Sequence, residues 1–141
     1  MFYVSTRGNS EPVRSTRAVL DGIAHDGGLY MPESIPLFGK DELEKLSKLD
    51  YFARAAHVIG KFLTDYSYEE LLEDAKGAYS QEKFGPSPAP TTKIREGINM
   101  LELWHGPTCA FKDMALQIMP RLFVRALKKT NEERTALILV A

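Results

Sequence analysis

The residues best suited to chemistry lie together near the end of the chain, in the stretch His105-Gly-Pro-Thr-Cys-Ala-Phe-Lys-Asp113. A lysine stands there just where an apolar-periodic segment begins. A helix N-terminus carries partial positive charge, so a lysine at that point is poorly placed for stability. The same field favours the neutral amine, which is the form that Schiff-base and general-base chemistry require. Asp113 follows directly and offsets part of the penalty. His105, Gly106 and Pro107 make a tight approach to the helix, with Thr108 as a candidate N-cap. On the residues alone, a reactive Lys112 and an ordinary solvated lysine both stay open.

Other chemistries find less support. The single cysteine, Cys109, excludes an internal disulfide framework and a cysteine-rich metal site. Histidines at 25, 57 and 105 have no metal-ligand spacing, and His57 lies beside an apolar stripe as a structural histidine would. The net charge of -1 gives no footprint for nucleic acid or an anionic membrane. No run is apolar enough to span a bilayer, and Met1 to Asn9 lacks the basic start and apolar core of a signal peptide. A cytoplasmic protein is expected.

The elements that must position Lys112 can be read from hydrophobic period. The stretch from Met1 to Gly8 reads as a short strand. A short helix follows, with Val19, Leu20 and Ile23 as its inward residues, and then a turn-rich stretch around Asp26-Gly27-Gly28. Leu43, Leu46 and Leu49 suggest a short surface helix. Phe52, Ala55, Ala56, Ile59, Phe62 and Leu63 form a stripe of helical period. Ser67 and Glu70 form a capping box ahead of a helix whose apolar face is Leu71, Leu72, Ala75, Ala78 and Tyr79. Residues 41 to 79 thus read as a helical module.

Three prolines in the five residues 86 to 90 exclude a helix there and mark a joint. Beyond it, two short strands flank a turn at Glu96-Gly97. From Phe111 a helical stripe runs through Ala115, Ile118, Leu122 and Ala126, widened by Met114, Met119 and Phe123. Pro120 should kink or split this helix near Met119. Residues 135 to 141 are a run of β-formers, as in a strand buried on both faces. Helix followed by buried strand indicates an α/β unit. Ligand loops follow the carboxyl ends of such strands, so the chain is expected to be the N-terminal part of a longer enzyme.

The stretch Leu101 to Gln117, LELWHGPTCAFKDMALQ, resembles the lysine signature of the threonine synthase family. Tyr3 to Gly8, YVSTRG, and Asp26 to Pro36, DGGLYMPESIP, also resemble that family in order and distance from the lysine. The resemblance spans essentially the whole chain. Cys109 departs from it, at a position that commonly holds an aliphatic residue. The resemblance implies a mixed α/β fold: an N-terminal helical and small-strand region over residues 1–84, a joint at 85–92, and at 93–141 the start of a truncated domain of PLP fold type II, the tryptophan-synthase-β-like architecture. It implies conversion of O-phospho-L-homoserine and water to L-threonine and phosphate, with pyridoxal 5′-phosphate (PLP) held covalently by Lys112 as electron sink. Phe111 and Asp113 would help to place that lysine and the cofactor, and His105 and Thr108 would shape the pocket wall. Arg7 would meet an anionic group or form a structural salt bridge. The Ser/Gly-rich loop that holds the PLP phosphate in this family is not among the 141 residues. The chain alone is therefore expected neither to bind PLP tightly nor to catalyse, and its apolar surface could drive self-association.

Two rival readings remain at this stage. A threonine-synthase-like phospholyase would use the same lysine to eliminate phosphate without forming threonine. A non-catalytic helical interaction domain would present the stripe of residues 41 to 79 to a partner, although a core explains that stripe more economically.

Overall fold

A computed structural model describes residues 1–133 and 135–137. The N-terminal part is a three-stranded antiparallel sheet of β1 (Phe2–Ser5), β2 (Val13–Arg14) and β3 (Tyr30–Pro32), in the order β2-β1-β3. Tyr3 pairs with Val13 on one side and Pro32 on the other. Helix α1 (Ser15–Asp21) leaves β2 directly. Thr16 is fixed at its start by Asp65, whose carboxylate accepts from the Thr16 N–H at 3.0 Å and its hydroxyl at 3.1 Å. Val19 and Leu20 pack inward as their spacing predicts, but Ile23 lies beyond the helix and is exposed, bridging to Leu29 instead. Strand β3 is not legible in the turn-rich Asp26 to Pro36 stretch, because only pairing with β1 makes so short a segment extended.

The helical module consists of α2 (Lys40–Ser47), α3 (Tyr51–Phe62) and α4 (Tyr68–Ala78), followed by the short α5 (Gln81–Phe84). Asp50 caps α3 by accepting the Ala53 N–H at 2.7 Å. At α4 both halves of the capping box are present: Ser67 Oγ accepts from the Glu70 N–H, and Glu70 Oε2 from the Ser67 N–H. The apolar faces of α3 and α4 meet, burying Ala56, Leu71, Ala75, Ala78 and Tyr79. In α2 only Leu46 is buried; Leu43 is exposed, and so is Leu49, which lies beyond the helix end.

Strands β4 (Thr91–Arg95) and β5 (Ile98–Leu101) form a hairpin whose turn falls at Glu96-Gly97, with Gly97 at φ +73°. The helix expected from Phe111 is divided into α6 (Asp113–Leu116) and α7 (Met119–Lys129). Pro120, in the first turn of α7, has no N–H to donate to the Leu116 carbonyl, so the i to i+4 ladder cannot continue across it. Phe111 lies in the turn before α6, and Phe111, Ala115 and Met119 are exposed, while Ile118, Leu122 and Ala126 join the core. Thr135, Ala136 and Leu137 are exposed and form no strand; the rest of the expected strand lies outside the described residues. Among the described residues, no helix is long and apolar enough to cross a membrane.

Candidate active site

Lys112 is held at the end of a turn built around Asp113. The Asp113 side chain is almost fully buried, at 1% exposure. Its Oδ2 accepts the Thr108 N–H at 2.8 Å, and its Oδ1 accepts the Thr108 hydroxyl at 2.9 Å. Gly106 closes the other side. A Cβ at that position would stand 2.8 Å from Asp113 Cγ and closer still to Cβ and Oδ2, so only glycine permits this approach. Within the turn, the Cys109 N–H donates to the Gly106 carbonyl at 3.0 Å and the Asp113 N–H to the Ala110 carbonyl at 3.0 Å. Cys109 takes φ +56°, an uncommon conformation for a residue with a side chain. Gly106, Thr108 and Asp113 therefore form a closed knot of backbone and side chain.

Two expectations are corrected here. Thr108 does not cap the helix: α6 begins at Asp113 with Lys112 in the N-cap position, and the Thr108 hydroxyl donates to the aspartate. Nor does a long helix dipole act on Lys112, since α6 has a single turn of four residues. What the turn supplies is presentation. Lys112 is exposed, and its ammonium has no hydrogen-bond or ion-pair partner among the described residues. Phe111 beside it is 68% exposed.

His105 begins the turn, with its Nε2 2.7 Å from Glu102 Oε2 and its ring stacked on Trp104. The other Glu102 oxygen accepts from the Thr92 hydroxyl on β4. The Thr92 hydroxyl and His105 hold the Glu102 carboxyl below the usual carboxylate range. The hairpin is thus linked to the lysine turn through Glu102.

The helical module grips the other side of that turn. The Tyr79 hydroxyl donates to the Met114 carbonyl at 2.8 Å, two residues beyond Lys112, and the Tyr66 hydroxyl donates to the Leu122 carbonyl at 3.0 Å. Burial pushes the Tyr79 phenol up to about 12, and that of Tyr66 is raised as well, first by burial and then by nearby carboxylates. Lys83 donates to Gln117 Oε1 at 2.8 Å. These anchors were not recognised from sequence; Tyr79 read only as part of an apolar face and Tyr66 was given no role, and nothing local signals which distant carbonyl a phenol will reach.

Arg7 is not brought into the lysine turn. It belongs to a second knot, where its Nη1 donates to the Asp26 carbonyl at 2.9 Å and it forms no ion pair among the described residues. The Asp26 carboxylate accepts from the Ser5 hydroxyl at 2.6 Å and from the N–H groups of Asn9 and Gly28, each at 2.9 Å. The Ser5 hydroxyl bond is the largest influence holding this carboxyl below its ordinary range. The YVSTRG and DGGLY stretches meet here as a brace of the N-terminal sheet. Among the described residues, no cluster of His, Cys, Asp and Glu could hold a metal ion.

Comparison with known proteins bears on the whole arrangement. The family model described as "Threonine synthase N terminus" matches residues 2–79. The chain belongs to the threonine synthase family. The threonine synthase of Pseudomonas aeruginosa is 36% identical over 136 residues, covering 94% of this chain and 28% of the relative. "Threonine synthase-like 2" of Xenopus laevis is 33% identical, covering 98% of the chain and 29% of the relative. Among solved structures, the PLP-bound threonine synthase from Brucella melitensis superposes with a TM-score of 0.85 at 32% identity, covering 94% of this chain and 28% of that one. The chain thus spans under a third of the length of the threonine synthases it matches, and its mixed α/β fold corresponds to their N-terminal portion.

Proposed function

We propose that this chain supplies the lysine-bearing N-terminal part of a threonine synthase, which converts O-phospho-L-homoserine and water to L-threonine and phosphate. Residues 1–84 form its N-terminal region, 85–92 a joint, and 93–141 the start of the PLP-binding domain. The observation that carries this reading is the partner-free, exposed amine of Lys112 on a turn locked by buried Asp113. Such an amine fits covalent attachment of PLP, which when bound supplies an electron sink for carbanion chemistry. Freed from that attachment, the Lys112 amine holds and moves protons at Cα and Cβ of the substrate while phosphate leaves Cγ and water adds at Cβ. Asp113 acts by holding the turn and not by touching the cofactor. Phe111 offers an apolar face beside the lysine, and His105 and Thr108 form the wall on the approach side. Arg7 serves the N-terminal brace. The reaction places the parent protein among carbon-oxygen lyases of threonine biosynthesis, working in the cytoplasm.

Replacing Lys112 by alanine in the full-length parent tests the assignment. Turnover should be abolished while the fold is retained; unchanged activity would reject Lys112. The similarity to a threonine-synthase-like protein keeps one second reading, elimination of phosphate without threonine formation. A product assay separates the two: threonine supports the synthase, and 2-oxobutyrate the phospholyase.

A further inference from the structure

A cavity of about 750 Å³ opens where α4 and α5 face the break between α6 and α7. None of His105, Thr108, Phe111, Lys112 and Asp113 lines it. Its apolar lining is Leu116, Pro120 and Val124, of which Leu116 and Val124 are 55% and 49% exposed. Its charged residues are Glu73 and Asp74 against Lys83, Arg121, Arg125 and Lys128.

The two carboxylates are already engaged. Arg125 donates to Asp74 Oδ2 at 2.5 Å through Nε and to Glu73 Oε2 at 2.6 Å through Nη2. Among the described residues, three cations are left without a counter-charge. The Lys83 ammonium meets only neutral oxygens, those of Gln117 and of the Gly77 carbonyl. Arg121 and Lys128 have no hydrogen-bond or ion-pair partner among the described residues. In a chain of net charge -1 this is a local concentration of positive charge. Arg121 is also not simply extended into water: its guanidinium lies across the Cα of Gly77, where a Cβ would collide with it. Glycine inside a helix costs roughly 1 kcal/mol against alanine, and at Gly77 it leaves room for the guanidinium of Arg121, which lines the cavity.

We infer that this cavity binds a small organic anion, with its carboxylate or phosphate held by Arg121, Lys128 and Lys83 and its apolar body laid on Leu116, Pro120 and Val124. A planar guanidinium can engage either head group with two parallel bonds, and the lysines add point charges. The apolar side chains beside the cations suit a ligand larger than a bare inorganic ion. The inference does not depend on what Lys112 does.

The test is titration of the 141-residue chain, followed by amide NMR, with phenyl phosphate, benzoate and neutral benzamide as probes. Saturable binding of one or both anions at about 1 mM or below is expected, with shifts centred on Gly77, Leu116 and Val124 and none from benzamide. Stronger binding of phenyl phosphate would assign a phosphate head group, and stronger binding of benzoate a carboxylate. The double variant Arg121→Gln/Lys128→Gln alters two exposed, unpaired side chains and should keep its melting temperature while binding about tenfold more weakly or worse. Gly77→Ala keeps every charge but displaces the guanidinium, and should also weaken binding. Failure of both anions to saturate, equal binding of benzamide, or undiminished binding by the folded double variant would overturn the inference.

Discussion

The Asp113 carboxylate binds both the backbone N–H and the hydroxyl of Thr108, at 2.8 and 2.9 Å, and so closes the turn from which Lys112 projects. The residue next to the lysine is buried so that the lysine itself can be exposed. Asp113→Ala would leave the two Thr108 donors unsatisfied, and a loss of about 1–3 kcal/mol is expected in denaturant unfolding. Asp113→Asn keeps one carbonyl oxygen for the N–H, and the Thr108 hydroxyl can turn to accept, so it should cost less. Equal losses from the two variants would show that the carboxylate's two acceptors are not what closes the turn.

Gly106→Ala places a methyl group against Asp113 Cβ and Cγ. Neither partner is the free end of a flexible side chain, so the turn itself must shift. Destabilisation of about 1–3 kcal/mol is expected, with amide NMR changes concentrated over residues 105–113. A variant with wild-type stability and an unmoved Lys112 amide would contradict the close packing.

Tyr79 ties the helical module to the lysine segment through the Met114 carbonyl. Tyr79→Phe should cost about 1 kcal/mol and increase hydrogen exchange in α6. The pH dependence follows from the raised phenol. The native state disfavours the phenolate, so the stabilisation is complete below the ordinary phenol value of 10.0 and is lost as pH rises toward and through about 12. Stability should therefore fall more steeply with pH above about 10 for the wild type than for Tyr79→Phe. Superimposable alkaline transitions would exclude this contribution.

Glu42 gives the opposite pH sign. Its carboxylate meets His57 Nε2 at 2.7 Å and Lys61 Nζ at 2.6 Å, joining α2 to α3. The hydrogen bond to His57 first, and that to Lys61 second, lower its value from 4.5 to about 2. A lowered carboxylate stabilises the fold above its unfolded value and loses that contribution as pH falls from about 4.5 toward about 2. The Glu42→Gln variant should show a shallower fall in stability across this acid window, measured by urea unfolding at several pH values. An identical slope would reject the link.

PLP added to this 141-residue chain should not attach selectively to Lys112, whose amine is exposed. After borohydride reduction, peptide mass spectrometry is expected to find Lys112 labelled no more than exposed Lys40 or Lys45. Stoichiometric labelling confined to Lys112 would show that these residues suffice for cofactor binding.

Local chemistry alone determined much of this protein. The capping box at Ser67 and Glu70, the α3 and α4 stripes, the turn at Gly97 and the break before Pro120 each depend on residues a few positions apart, and each was legible. The motif around Lys112 was equally legible as a resemblance. Tertiary structure decided what the motif residues do. Sequence spacing could not show that Asp113 turns inward to Thr108 or that Gly106 leaves it room. It could not show that Arg7 spends its guanidinium on the Asp26 carbonyl, or that Tyr79 reaches Met114 across 35 positions. Hydrophobic period reports which face is buried. A hydrogen bond between distant residues depends on how whole elements dock, and no periodicity encodes that.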